Sequence, residues 1–369
     1  MTTGSPDSEK PPQLDSRRRG AFLETMTGIM NGGALALMCS IGHKTGLFDT
    51  MSALAPSTSD EIAATAGLQE RYVKEWLAAM TAGGVVDYDP EAGTYALPAE
   101  HASLLTRASG PLNLTTYCQY ISLLGQVEDE VVDAFRRGGG VPYDRYPAFQ
   151  ELMAESSGQR LDQALLPQVV PLLPGGPQWL RSGIDVADVG CGSGRALNKL
   201  AAEYPNSRFT GYDIADGALA RARAEAQAAG NTNIDFVARD AAQLDESERF
   251  DLITSFDAVH DQVRPDDMLA GIFAALRPGG TYLCVEPKAS SHLHDNLALP
   301  GAPLMYTIST MHCMTVSLAY GGEGLGTAWG EQLAVEKLTT AGFSEIEVTG
   351  VKADRANHYL LATRAADHS

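Results

Sequence analysis

Near the start of the chain Phe22, Met26, Ile29, Met30, Leu35 and Leu37 recur at helical spacing among small residues and predict a long helix. Ser57-Thr58-Ser59-Asp60-Glu61 places hydroxyls ahead of acids, a helix start, and Gly67 ends that helix. Val73, Trp76, Leu77 and Met80 then share one face of an amphipathic helix over 70–82, which Gly83-Gly84 stops. Two short runs, 85–88 and 94–97, flank Asp89-Pro90-Glu91-Ala92-Gly93 and read as a hairpin. Helix, turn, helix and hairpin make a winged helix.

From about 109 to 180 the pattern stays helical, broken at Gly138-Gly139-Gly140 and Pro142, with Pro171, Pro174 and Pro177 at its exit. From Ile184 to Arg364 it changes. Short β-branched runs at 185–189, 208–212, 235–238, 252–255 and 281–285 alternate with helical patterns. That alternation predicts an α/β fold, a doubly wound, Rossmann-like and mostly parallel sheet with helices on both faces. Runs at 345–348 and 359–362 add a late strand pair and with it an antiparallel strand. The breaks divide the chain into a disordered N-terminus (1–17), a helical and winged-helix domain (18–108), a helical connector (109–180) and the α/β domain (181–369).

Composition narrows the partners. The 369 residues hold 46 acids against 27 Lys and Arg, a net charge of −19. The winged helix, the one module that suggests DNA, is itself acidic: residues 55–105 carry Arg71 and Lys74 against eight acids, a balance of −6. Such a surface repels phosphate, so no nucleic-acid partner is expected. The apolar stretch 34–41 is far shorter than the roughly 20 residues a membrane span needs. Five dispersed cysteines without a CxxC pair fit reduced thiols, and a cytoplasmic location is expected. His292, His294 and Asp295 lack partners at metal-ligand spacing, so no metal is expected.

The densest local signal is Asp188-Val189-Gly190-Cys191-Gly192-Ser193-Gly194-Arg195, which follows a strand and opens a helix. Glycines there let a ligand approach the backbone N–H groups. A dinucleotide fingerprint would put a third glycine where Arg195 stands; the spacing here is GxGxG. Asp213 ends the second strand, Asp240-Ala241 follows the third, and Leu276-Arg277-Pro278-Gly279-Gly280 is a turn into the fifth. Taken singly, Asp213 and Asp240 also read as helix caps. In order, these segments resemble the motifs of class I S-adenosylmethionine (SAM) methyltransferases. The resemblance implies that Asp188, Gly190, Gly192, Gly194, Asp213, Asp240 and Ala241 form a SAM site, Asp213 on the ribose hydroxyls and Asp240 at the adenine.

After the fourth strand, Phe256-Asp257-Ala258-Val259-His260-Asp261 resembles the His-Asp step of small-molecule O-methyltransferases acting on phenols and natural products. That likeness implies that His260 is the general base for an acceptor hydroxyl, with Glu286 and Glu323 as flanking acids. It implies that Phe149 and Met153, on one helix face, cover the cofactor near its methyl group. Phe256 stands where the phenolic enzymes have a lysine, and an aromatic there could pack on the adenine. Winged-helix domains of that family form a homodimer and help close the pocket of a small-molecule methyl acceptor. Three other readings stay open: an amine or carbon acceptor needing no base, a DNA-binding regulator that binds SAM, and a catalytically silent binding protein. Met311, His312, Cys313 and Met314 line an acceptor pocket or a helix core, and 299–329 is poorly matched by the resemblance.

Overall fold

A computed structural model describes residues 14–366. The chain divides into two compact units at Thr106 and Arg107. Residues 1–13 of the expected N-terminal tail lie outside the described residues; Asp15 caps a helix that begins at Ser16.

In the first unit that helix, Ser16–Thr45, precedes Leu47–Ala53, Ser59–Ala66 and Glu70–Ala82, then strands β1 (Asp87–Asp89) and β2 (Thr94–Ala96) and a helix Ala99–Leu105. Thr58 and Glu61 form a reciprocal cap: each backbone N–H is bonded by the other's side chain, at 2.8 and 3.4 Å. Gly67 closes the turn with φ of 67°. Val73, Trp76, Leu77 and Met80 face inward, as their spacing predicts, and pack with Phe48 and Ile62. On the long helix Phe22, Leu23, Ile29 and Met30 are exposed within this unit.

The second unit is built on a seven-stranded sheet of β3 (Asp185–Val189), β4 (Arg208–Asp213), β5 (Ile234–Ala238), β6 (Phe250–Phe256), β7 (Leu276–Pro287), β8 (Ser344–Val351) and β9 (Asp354–Thr363). Their order is β5-β4-β3-β6-β7-β9-β8. β9 pairs antiparallel to β7 and β8, while the other pairings are parallel. Alternation along β3 explains the helices on both faces. Val186 packs with Leu197, Leu200, Leu219 and Ala222, while Ala187 and Val189 pack with Met268, Leu269, Ile272 and Leu338. Each fully buried aliphatic side chain contributes about 1.5–3 kcal/mol to holding these layers together.

One reading shifts. The turn at 276–280 lies inside β7, where Leu276 pairs with Phe250 and the register slips before Leu252 pairs with Thr281. Pro278 has no N–H to give the ladder and Gly279 takes φ of 82°, so the segment is an irregular strand opening.

Candidate active site

The strand order reverses between β3 and β6, so ligands are expected at the carboxyl ends of these strands. The glycine loop lies there. Gly190, Gly192 and Gly194 have φ of 76°, 53° and 70°. A Cβ on Gly194 would stand 2.6 Å from the Phe236 ring and 2.8 Å from Ala222, and one on Gly190 would stand 2.6 Å from Ala258. At Gly192 it would meet nothing within 4 Å, which leaves the backbone open to a ligand.

Asp213 ties the loop in place, its two carboxylate oxygens each accepting a 2.8 Å bond, from the Gly192 and Ala215 N–H groups. A carboxylate has lone pairs beyond these two bonds for further donors. The helix Asp216–Ala229 has Ala215 at its N-cap and no side-chain cap, so Asp213 is not its cap. Asp188 is buried and accepts from Thr254 Oγ1 at 2.7 Å. Burial, with the nearby Asp213 charge, pushes it up to about 7. Asp240 caps the turn Ala241–Gln243 through the Ala242 N–H at 2.9 Å and pairs with Arg264 at 3.3 Å.

His260 and Glu286 are brought together by the parallel pairing of β6 and β7. His260 Nδ1 meets Glu286 Oε2 at 2.7 Å, with the two side chains 7% and 2% exposed. The same carboxylate accepts from the Val259 N–H at 2.8 Å and from Trp329 Nε1 at 3.2 Å, so its position is fixed from three sides. Burial opposes the imidazolium, but Glu286 together with Cys313 outweighs it and holds the His260 pKa well above the usual imidazole value. Asp261, half-buried, is pushed up to about 6 by desolvation and by the neighbouring Glu286 and Asp213 charges, against the lowering effect of His260.

His260 and Asp261 open onto a cavity of about 440 Å³ within the second unit. Its lining includes His260, Asp261, Phe149, Met153, Cys313 and Thr327. Phe149 stacks on His312 at 3.4 Å between centroids, and Met153 accepts a hydrogen bond from the Tyr120 hydroxyl at 3.0 Å. His312 is fully buried, and burial, with His260 nearby, pushes it down to about 3. It is a neutral packing ring, whereas Cys313 reaches the cavity.

Two sequence-selected residues fall elsewhere. Glu323 pairs with Lys337 at 2.8 Å, is 44% exposed and does not line the cavity. Phe256 sits on the sheet face that carries Leu252, packed with Leu161, while Ala241 belongs to the opposite face; the alternation of β6 keeps its ring from Ala241. Sequence reasoning missed Trp329, which sits on the unmatched segment. It also missed the half-buried pair of Arg160 and Asp257, 2.7 Å apart on the cavity lining. Asp257 lies beside His260 in a motif already singled out, but its partner is 97 residues away.

Fold and loop together define a methyltransferase domain of the Rossmann-like class. Residues 180–330 match the family model described as a methyltransferase domain, and residues 33–107 match that of the Rv2258c-like winged HTH domain. The chain therefore pairs a winged helix-turn-helix domain with a methyltransferase domain. Its fold is shared by the mitomycin 7-O-methyltransferase MmcR, at a TM-score of 0.72 and 16% identity over 95% of this chain and 100% of that one. Human N-acetylserotonin methyltransferase, solved in complex with SAM, gives 0.64 and 18% over 97% and 100%. The trans-aconitate 2-methyltransferase of Streptomyces avermitilis is 35% identical over 106 residues, 28% of this chain and 39% of that relative, so the chain spans about two-fifths of its length. Among the described residues, no helix is long and apolar enough to cross a membrane.

Proposed function

We propose that the protein is a SAM-dependent methyltransferase that acts on a hydroxyl of a small molecule, with His260 as the general base. The observation that carries this reading is His260 on the lining of a cavity large enough for a small organic acceptor, its Nδ1 held from behind by the buried carboxylate of Glu286. The loop supports the cofactor assignment: the space at Gly192 and the carboxylates of Asp188 and Asp213 suit a cationic, hydroxyl-rich ligand. Asp188, Gly190, Gly192, Gly194, Asp213, Asp240 and Ala241 would hold it, with Phe149 and Met153 near the acceptor. When bound, SAM supplies a methyl group activated by its sulfonium. Glu286 holds the Nδ1–H of His260, which leaves Nε2 to take the proton from the acceptor hydroxyl. The apolar cavity wall excludes water from the exchange.

Calorimetry with SAM and S-adenosylhomocysteine, followed by transfer from methyl-labelled SAM to a panel of phenols and aliphatic alcohols, tests the reading. His260→Ala is expected to retain SAM affinity and lose transfer. Unchanged transfer would move the chemistry to an acceptor that needs no base, and absent SAM binding would end the proposal. The exposed apolar residues Phe22, Leu23, Ile29 and Met30 on the first helix support a homodimer. Sedimentation of the full chain at micromolar concentration tests it, a monomer counting against it.

A further inference from the structure

The cavity is not uniformly apolar. Leu299, Leu304, Met305 and Ile308 furnish hydrocarbon, but Lys288 and Arg355 also line it. Lys288 follows Pro287 at the end of β7 and Arg355 lies at the start of β9. The Lys288 N–H donates to the Ala356 carbonyl at 2.7 Å, which joins the two segments side by side. Both side chains are exposed, and neither has a carboxylate within ion-pair distance among the described residues. The third cation of the lining, Arg160, is already held by Asp257 and Asp354. Asn357 is buried on the same lining. In a chain of net charge −19, two cations on one cavity wall without an ion-pair partner among the described residues stand out against the acidic whole. Of the carboxylates on the lining, Asp257 is bound to Arg160, and the charge of Asp261 is set against neighbouring His260.

We propose that Lys288 and Arg355 form an anion subsite, and that the acceptor is an amphipathic anion with an apolar body and one acidic group apart from its hydroxyl. This deepens the reading of the cavity as an acceptor site and rests on it. Charge-assisted hydrogen bonds from the two cations would orient the molecule while Leu304, Met305 and Ile308 bury its hydrocarbon.

Two fluorescent dyes of one ring system test this without cofactor or turnover: 8-anilinonaphthalene-1-sulfonate, which is anionic, and N-phenyl-1-naphthylamine, which is neutral. The double variant Lys288→Gln/Arg355→Gln changes only exposed side chains. It is expected to weaken sulfonate binding about tenfold and to leave the neutral dye within about twofold. Leu304→Trp, which fills the cavity, is expected to weaken both. The proposal is overturned if the double variant weakens both dyes alike or neither, or if sulfonate binding survives Leu304→Trp. Neither dye reports on SAM, so a failure here leaves methyl transfer standing, and absent SAM binding in calorimetry leaves the anion subsite standing.

Discussion

The glycine loop and the acceptor cavity both lie in the methyltransferase unit, yet they are made differently. The loop is one contiguous segment, and its function is carried by backbone geometry: three glycines at positive φ and an aspartate that ties the Gly192 N–H. The cavity is assembled by side chains from far apart: Tyr120, Met153, His260, Lys288, Cys313 and Arg355. A backbone site tolerates little change at its glycines whatever the ligand. A side-chain site can lose its chemistry while its shape survives. Substitutions in the two places should therefore separate binding and folding from catalysis.

His260→Ala is expected to have the largest effect, a loss of about 10²- to 10⁴-fold in methyl transfer, the range of a general base. SAM affinity by calorimetry should stay within about twofold, because His260 touches none of the loop residues through a hydrogen bond. Gly194→Ala should do the converse. Its Cβ would press into Phe236 and Ala222, and the backbone would hold φ of 70° with a side chain. Crowding of about 1–3 kcal/mol and about 1–2 kcal/mol for the left-handed conformation predict a lower unfolding midpoint in urea. Gly192→Ala shares only the second cost, since its Cβ meets open space. A Gly192 variant as destabilised as the Gly194 variant would break the contrast.

Glu286→Gln sharpens the side-chain half. The amide keeps an oxygen for the His260 N–H but removes the charge that raises the imidazole. A loss of about 10- to 100-fold is expected, and the pH profile carries the signature. The base works when deprotonated, so transfer should rise with pH through the elevated His260 pKa, and in Glu286→Gln that rise should move to lower pH. The linked stability has the opposite course. A folded-state pKa above the unfolded value of about 6.5 stabilises the protein below that pH, and the stabilisation is lost as pH rises through the folded value. A profile that stays in place in the variant would mean that Glu286 only packs.

The contrast also explains what was legible in the sequence. Helix starts, the winged helix and the β3 loop are local patterns, encoded by Thr58 before Glu61 or by Gly190, Gly192 and Gly194 within five residues. The His260–Glu286 pair was legible only through the family resemblance; what brings the two together is the parallel pairing of β6 and β7. The partner of Asp257, the third donor to Glu286, and Lys288 beside Arg355 depend on where β9 returns and how 299–329 folds over the sheet. No local spacing encodes that. Phe256 was placed by likeness to another residue, whereas its orientation follows from the alternation of its own strand.

The smallest effect is expected at Glu323, where the pattern needed a gap to align. Its carboxylate is occupied by Lys337, which also bonds Asp266 at 2.8 Å, and nothing in the hydrogen bonding of His260 involves it. The position beside the imidazole is taken by Cys313, whose thiol accepts from Thr327 Oγ1 at 3.2 Å. Glu323→Gln should therefore leave transfer within about twofold and the pH profile in place. The cost should be no more than about 1 kcal/mol of stability, the ordinary worth of a partly exposed ion pair. Cys313→Ser should move the profile further than Glu323→Gln does, because Cys313 adjoins the ring and Glu323 does not. A tenfold loss in Glu323→Gln, with the unfolding midpoint unchanged, would return Glu323 to the base and require the 321–326 loop to close toward His260 during turnover.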